Sequence, residues 1–124
     1  MMSRTVSFFK DKVIVITGAS SGIGMASARL FASYGAKLVL AARSMDKLEK
    51  LASELSDDPS RILCVKTDVS VEEDCRNMIE AAAARFGRID ILVNNAGISM
   101  RASFAKVDLS VIRRLMDVNF WGTV

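Results

Sequence analysis

The sequence predicts an α/β fold, a doubly wound parallel sheet with helices on both faces. Three observations carry this. Short apolar runs rich in β-branched residues alternate with amphipathic helical patterns along the whole 124 residues. The first run, Val13 to Thr17, is apolar at successive positions, as a strand covered on both faces must be. A glycine-bearing turn, Gly18 to Gly24, then leads straight into a helical pattern.

In chain order, Met1 to Phe9 reads as a leader whose Phe8 and Phe9 pack on the sheet edge, and Asp11-Lys12 turns into the first strand. The first helix is expected from Gly22 to Tyr34, with Ile23, Ala26, Leu30, Phe31 and Tyr34 on its buried face and Gly35 as its stop. Lys37 to Ala42 is the second strand. A second helix follows Ser44 as N-cap, burying Leu48, Leu51, Ala52 and Leu55. Residues 56–60 form a loop by composition, and Arg61 to Thr67 is the third strand. Ser70-Val71-Glu72-Glu73 has the pattern of a capping box. The helix behind it carries Val71, Cys75, Met78, Ile79, Ala82 and Phe86 on one face and stops at Gly87. Ile89 to Val93 is the fourth strand, and Ser110 caps a last helix. The order β-α-β-α-β-α-β-α means parallel strands joined by right-handed crossovers.

Composition excludes several classes. The net charge is +3, with no cluster of Lys or Arg, which gives no nucleic-acid signal. There is no histidine and no C-x-x-C, so no zinc or other metal site is expected. Cys64 and Cys75 read as buried, reduced thiols, and nothing asks for a disulfide. The first 12 residues lack a signal-peptide core, and no apolar run approaches the ~20 residues that span a membrane. The expectation is a cytoplasmic protein with no membrane partner.

Four stretches carry chemistry. In the first turn Gly18 makes the tight bend, Gly22 leaves room for a pyrophosphate, and Gly24 lets the helix approach the strand. Ser20 and Ser21 add hydroxyl donors, and Ile23 completes the motif. The unpaired N–H groups and positive dipole of a helix start suit an anion. The spacing is G-x-x-x-G-x-G rather than G-x-G-x-x-G; a plain βα turn is the alternative. At the end of the second strand stands Ala41-Ala42-Arg43-Ser44. An acid there binds a ribose 2′-hydroxyl, whereas an Arg accepts a 2′-phosphate. Arg43 and Ser44 thus favour NADP(H) over NAD(H), against the blander reading of a solvated Arg and a helix cap. Asp68-Val69 ends the third strand, where a carboxylate can accept from the adenine amine with Val69 on the ring; it can equally just order the turn. Asn94-Asn95-Ala96-Gly97 ends the fourth strand, where two amides can tie strand ends together beside a flat ring. Asn119 stands among apolar residues of the last helix, where an amide bonding to backbone is the bland account.

Together, Thr17 to Gly24, Asp68-Val69, Asn94 to Gly97 and Asp117-Val118-Asn119 resemble the short-chain dehydrogenase/reductase family, from about Phe9 to Val124. Ala42-Arg43-Ser44 with Ala96-Gly97-Ile98-Ser99 is faintly similar to its hydroxysteroid-dehydrogenase-like members. The resemblance implies a Rossmann-type sheet in the order 3-2-1-4 and a cofactor site of Gly18, Ser20, Ser21, Gly22, Ile23, Gly24, Arg43, Ser44, Asp68, Val69, Asn95, Ala96 and Gly97. It implies reversible hydride transfer between a nicotinamide and a small-molecule carbonyl or alcohol. In the family a Tyr is the proton donor, a Lys lowers its pKa, and a Ser orients the substrate. The Asn matched here by Asn119 holds a water in the proton relay. Those Ser, Tyr and Lys lie downstream of this helix, and the single tyrosine, Tyr34, is in the first helix. Residues 1–124 are therefore expected to be the N-terminal part of one NAD(P)-binding domain, truncated and inactive alone, from a protein that forms a homodimer or homotetramer when whole. The alternatives are a non-catalytic nucleotide-binding or regulatory module, and an interaction protein that keeps the fold without the nucleotide.

Overall fold

The computed structural model describes residues 8–95. In order, these form β1 (Val13–Thr17), α1 (Gly22–Ser33), β2 (Lys37–Ala42), α2 (Met45–Leu55), a 3₁₀ turn (Pro59–Arg61), β3 (Ile62–Lys66), α3 (Glu72–Phe86) and β4 (Ile91–Val93). The strands are all parallel, in the order β3-β2-β1-β4. Val15 pairs with Val39 on one side and Leu92 on the other. The chain steps outward from β1 to β3, then returns through α3 to the far side of β1. That reversal opens a crevice at the carboxyl ends of the strands. The expected last helix lies outside the described residues.

Strand alternation sorts the core into two layers. Val13, Val15, Val39 and Ala41 face α3, meeting Cys75, Met78, Ile79 and Ala82. Ile14, Ile16, Leu38 and Leu40 face the opposite side, against Ala28 of α1 and Leu48 and Leu51 of α2. All five residues of β1 are buried, which is why its sequence shows no polar alternation.

The amino ends of the strands are stitched by charge. Asp90, 2 % exposed, accepts from the Val13 N–H at 2.8 Å and from Arg88 through Nε at 3.0 Å and Nη2 at 2.5 Å. A buried carboxylate is retained at such a place only when paired and hydrogen-bonded. Arg61 Nη2 donates to Asp11 Oδ1 at 2.8 Å and to the Gly35 carbonyl at 2.6 Å. This pairing holds the Asp11 carboxyl below the usual carboxylate range.

Several expectations are corrected. The buried side of α1 is a stripe of small residues, Gly24 and Ala28, with Phe31 and Ala32 beside it; Ile23 is 74 % and Leu30 49 % exposed. Both faces satisfy a spacing of three and four, and the one that lets the backbone lie closest to the sheet packs inward. The Ser70 capping box does not form. Ser70 donates through both N–H and Oγ to Asp68 Oδ1, and α3 starts at Glu72 behind Val71. Asp74, the third residue of α3, accepts instead from the Asp68 N–H at 2.9 Å, three residues before the cap. β4 begins at Ile91, and just before it the Asp90 carboxylate, rather than a backbone carbonyl, takes the Val13 N–H. Phe9 packs on Phe31 and Tyr34, but Phe8 is largely exposed. Cys75 is buried, whereas Cys64 is only half-buried; neither forms a disulfide among the described residues, and burial raises the pKa of each.

Candidate functional site

The turn after β1 is shaped by two glycines with positive φ, Gly18 at +63° and Gly22 at +56°. A Cβ on Gly22 would meet nothing within 4 Å, so the turn faces open space there. At Gly24 a Cβ would lie 2.1 Å from the Gly18 carbonyl oxygen and 2.8 Å from Asn95 Nδ2. Only glycine lets the first turn of α1 rest on the end of β1.

Neighbouring strands hold this turn from both sides. The Ala19 N–H donates to the Ala41 carbonyl of β2 at 3.1 Å. From β4, the Asn95 N–H donates to Thr17 Oγ at 3.0 Å and Asn95 Nδ2 donates to the Gly18 carbonyl at 3.5 Å. Asn95 thus lies beneath the turn as a brace.

A cavity of about 560 Å³ opens above the ends of β1, β2 and β3. Gly18, Ser20 and Ser21 form one wall, Arg43 and Ser44 a second, and Asp68 and Val69 a third. Seven of the expected cofactor residues therefore line one space. Gly22, Ile23, Gly24 and Asn95 are outside its lining, as is Asn94; Ala96, Gly97 and Asn119 lie outside the described residues. Ala42, Thr67, Ser70 and Lys47 also line the cavity, and sequence reasoning passed over them. Lys47 carried no usable signal, since Arg43 precedes the helix cap and their spacing of four does not place the two on one helical face.

Two helix starts border this cavity without side-chain caps. Ser21 is the N-cap of α1 and Ser44 that of α2, yet neither hydroxyl makes a capping bond. α1 has no acid in its first turn, whereas α3 has three, Glu72, Glu73 and Asp74. The first turn of α1 therefore keeps its donors and its dipole unneutralised toward the cavity. Asp68 is the carboxylate of the lining. Bonds from the Ser70 hydroxyl and N–H hold it below the usual range, and Arg43 lowers it further. Both bonds reach Oδ1, so Oδ2 is left for another donor.

A phosphate-rich ligand fits these walls. Uncapped donors and space without a Cβ lie on one side, a guanidinium on the next, and an ionised acceptor on the third. This crevice at the strand ends of a doubly wound sheet defines a Rossmann-type α/β protein. The chain belongs to the short chain dehydrogenase family, whose model matches residues 12–124. It is 47 % identical over 115 residues to the uncharacterized oxidoreductase YxnA of Bacillus subtilis, covering 93 % of this chain and 32 % of that protein. It is 49 % identical over 115 residues to 11-beta-hydroxysteroid dehydrogenase A of Sesamum indicum, covering 91 % of this chain and 33 % of the relative. Its fold matches the crystal structure of L-sorbose reductase from Gluconobacter frateurii complexed with NADPH and L-sorbose. The TM-score is 0.71 at 35 % identity, over 86 % of this chain and 46 % of the other. The chain spans about a third to just under a half of the curated relatives it matches. Among the described residues no helix is long and apolar enough to cross a membrane.

Proposed function

We propose that this chain is the cofactor-binding part of an NADP(H)-dependent oxidoreductase that interconverts a small-molecule carbonyl and alcohol. The observation that carries it is the cavity wall at the end of β2. Arg43 and Ser44 stand there with no carboxylate in the usual ribose-binding place, beside an uncapped helix start. Support also comes from the structural neighbour in complex with NADPH and from the dehydrogenase named among the relatives.

When bound, the nicotinamide supplies or takes up the hydride. In this reading the Ser20–Gly24 turn holds the pyrophosphate. Arg43 and Ser44 hold the 2′-phosphate, Asp68 accepts from the adenine amine, and Val69 lies on the ring. Asn95, Ala96 and Gly97 border the nicotinamide end, and Asn119 supports proton supply. Tyr34 stays out of the chemistry, since it closes α1 and stacks on Phe9. Residues 1–124 are the N-terminal part of a single domain, and by themselves hold a cofactor without turning over substrate. A cytoplasmic location and a homodimer or homotetramer of the whole protein belong to the same reading.

Titration of NADPH and NADH against wild type and Arg43→Ala tests it. A charge-assisted phosphate contact is worth about 1.5–3 kcal/mol, so the variant should lose roughly ten- to hundredfold in NADPH affinity and little in NADH affinity. Equal binding of the two nucleotides by wild type, or an Arg43→Ala variant that still prefers NADPH as strongly, would refute it.

A further inference from the structure

The cavity holds a second cation, Lys47, on the first turn of α2. With Ser44 as N-cap, Lys47 is the third helical residue. A Glu or Gln at that position would reach back to the cap and complete a capping box. A cation there also opposes the helix dipole. Helix stability alone therefore favours an acid, and the chain has a lysine behind a serine that makes no capping bond. Asp46, the acid of that turn, does not line the cavity.

Among the described residues Lys47 has no other engagement. It also lines a smaller cavity of about 300 Å³ between α1 and α2, with Ser20, Arg29 and Lys50. There Arg29 is held by Glu54 at 2.8 Å. Among the described residues Lys47 enters no ion pair, although Glu54 borders the same space. In the larger cavity the charged side chains are Arg43, Lys47 and Asp68. Arg43 and Asp68 offset one another, so Lys47 decides that the cavity is net positive.

We propose that Lys47 is a specificity-determining residue, the second cation that recognises the 2′-phosphate of the nucleotide beside Arg43. It has this role only if the cavity takes NADP(H), as proposed above. A phosphomonoester carries nearly two negative charges at neutral pH, and one guanidinium opposite a carboxylate does not balance them. The division of labour follows the side chains. Arg43 offers a planar fork that fixes direction, and Lys47 a mobile point charge.

The test uses protein expressed from its complete reading frame and two probes differing by one phosphate, adenosine 2′,5′-bisphosphate and 5′-AMP. Lys47→Ala and Lys47→Gln should each weaken the bisphosphate about tenfold and leave 5′-AMP unchanged, with a circular dichroism melt that does not fall, Gln being able to complete the capping box. Lys50→Ala, on the next turn, should change neither. If wild type binds both probes equally, the NADP(H) assignment falls and Lys47 falls with it. If Arg43→Ala loses the bisphosphate while the Lys47 variants retain it, Lys47 alone is overturned. An equal loss in Lys50→Ala would also overturn it, by showing a diffuse charge effect.

Discussion

Gly24→Ala separates local from tertiary control of the nucleotide turn. In an isolated helix, alanine for glycine gains about 1 kcal/mol. In this structure the new Cβ starts 2.1 Å from the Gly18 carbonyl oxygen, and backbone or methyl must retreat by at least about 1.3 Å to reach an ordinary separation. Overpacking of this kind costs about 1–3 kcal/mol. The same displacement pushes on Asn95 Nδ2, which donates to that carbonyl, and losing the bond adds about 1 kcal/mol. The tertiary cost exceeds the helix gain, for a net loss of about 2 kcal/mol. With a urea slope near 2 kcal/mol/M, the unfolding midpoint should fall by roughly 1 M with little change in slope. The assay is urea unfolding followed by far-UV circular dichroism. A variant unfolding at the same or higher urea concentration would refute the close approach of α1 to β1 as the reason for glycine here.

Two further outcomes concern charge. Asp90→Ala strands the buried Val13 N–H and should cost about 1–3 kcal/mol in urea unfolding. It should stay below the 3–5 kcal/mol of a stranded buried charge, because Arg88 is 43 % exposed and is rehydrated. Asp90→Asn, which keeps an acceptor for Val13, should cost less. The carboxyls of Asp11, Asp58 and Asp68 are all lowered in the folded chain, chiefly by hydrogen bonds from Arg61, Ser60 and Ser70. Their contribution is complete above the unfolded value near 4 and is lost as pH falls through the lower folded values. Urea midpoints measured from pH 6 to pH 2 should therefore decline below about pH 4, and less steeply in Asp68→Asn. A midpoint that rises on acidification over that range would contradict the sign.

The sheet was legible because β1 and β2 are apolar on both faces apart from Thr17 and Lys37 at their ends, a pattern that helices on two sides require. The seven predicted residues that gather around the cavity were legible for a related reason. In a parallel sheet each motif follows a strand, and all strand ends meet on one edge. What failed was whatever depended on competition. The Ser70 to Glu73 pattern was locally sufficient for a capping box, but Asp68 took both Ser70 donors. The larger residues of α1 looked like its packing face, yet contact with the turn rewards Gly24 and Ala28 instead. Asp90 reads as an ordinary strand residue until its partner Val13, 77 positions away, is brought beside it. Lys47 was missed because a lysine in a helix is nearly always solvated, and only the cavity sets it apart.

The brace under the nucleotide turn has a consequence for how the protein is made. Thr17 and Gly18 leave the ribosome before Asn95, which bonds to both and follows some 77 to 78 positions later. At about 5–20 residues per second, translation separates them by roughly 4–15 s. A turn that is short in sequence is thus closed by a long-range contact, whose loop must be ordered before the contact rewards it. The nascent β1-α1-β2 segment carries all the glycines of the motif and no completed socket. The socket is therefore completed only when β4 docks and brings Asn95 under the turn.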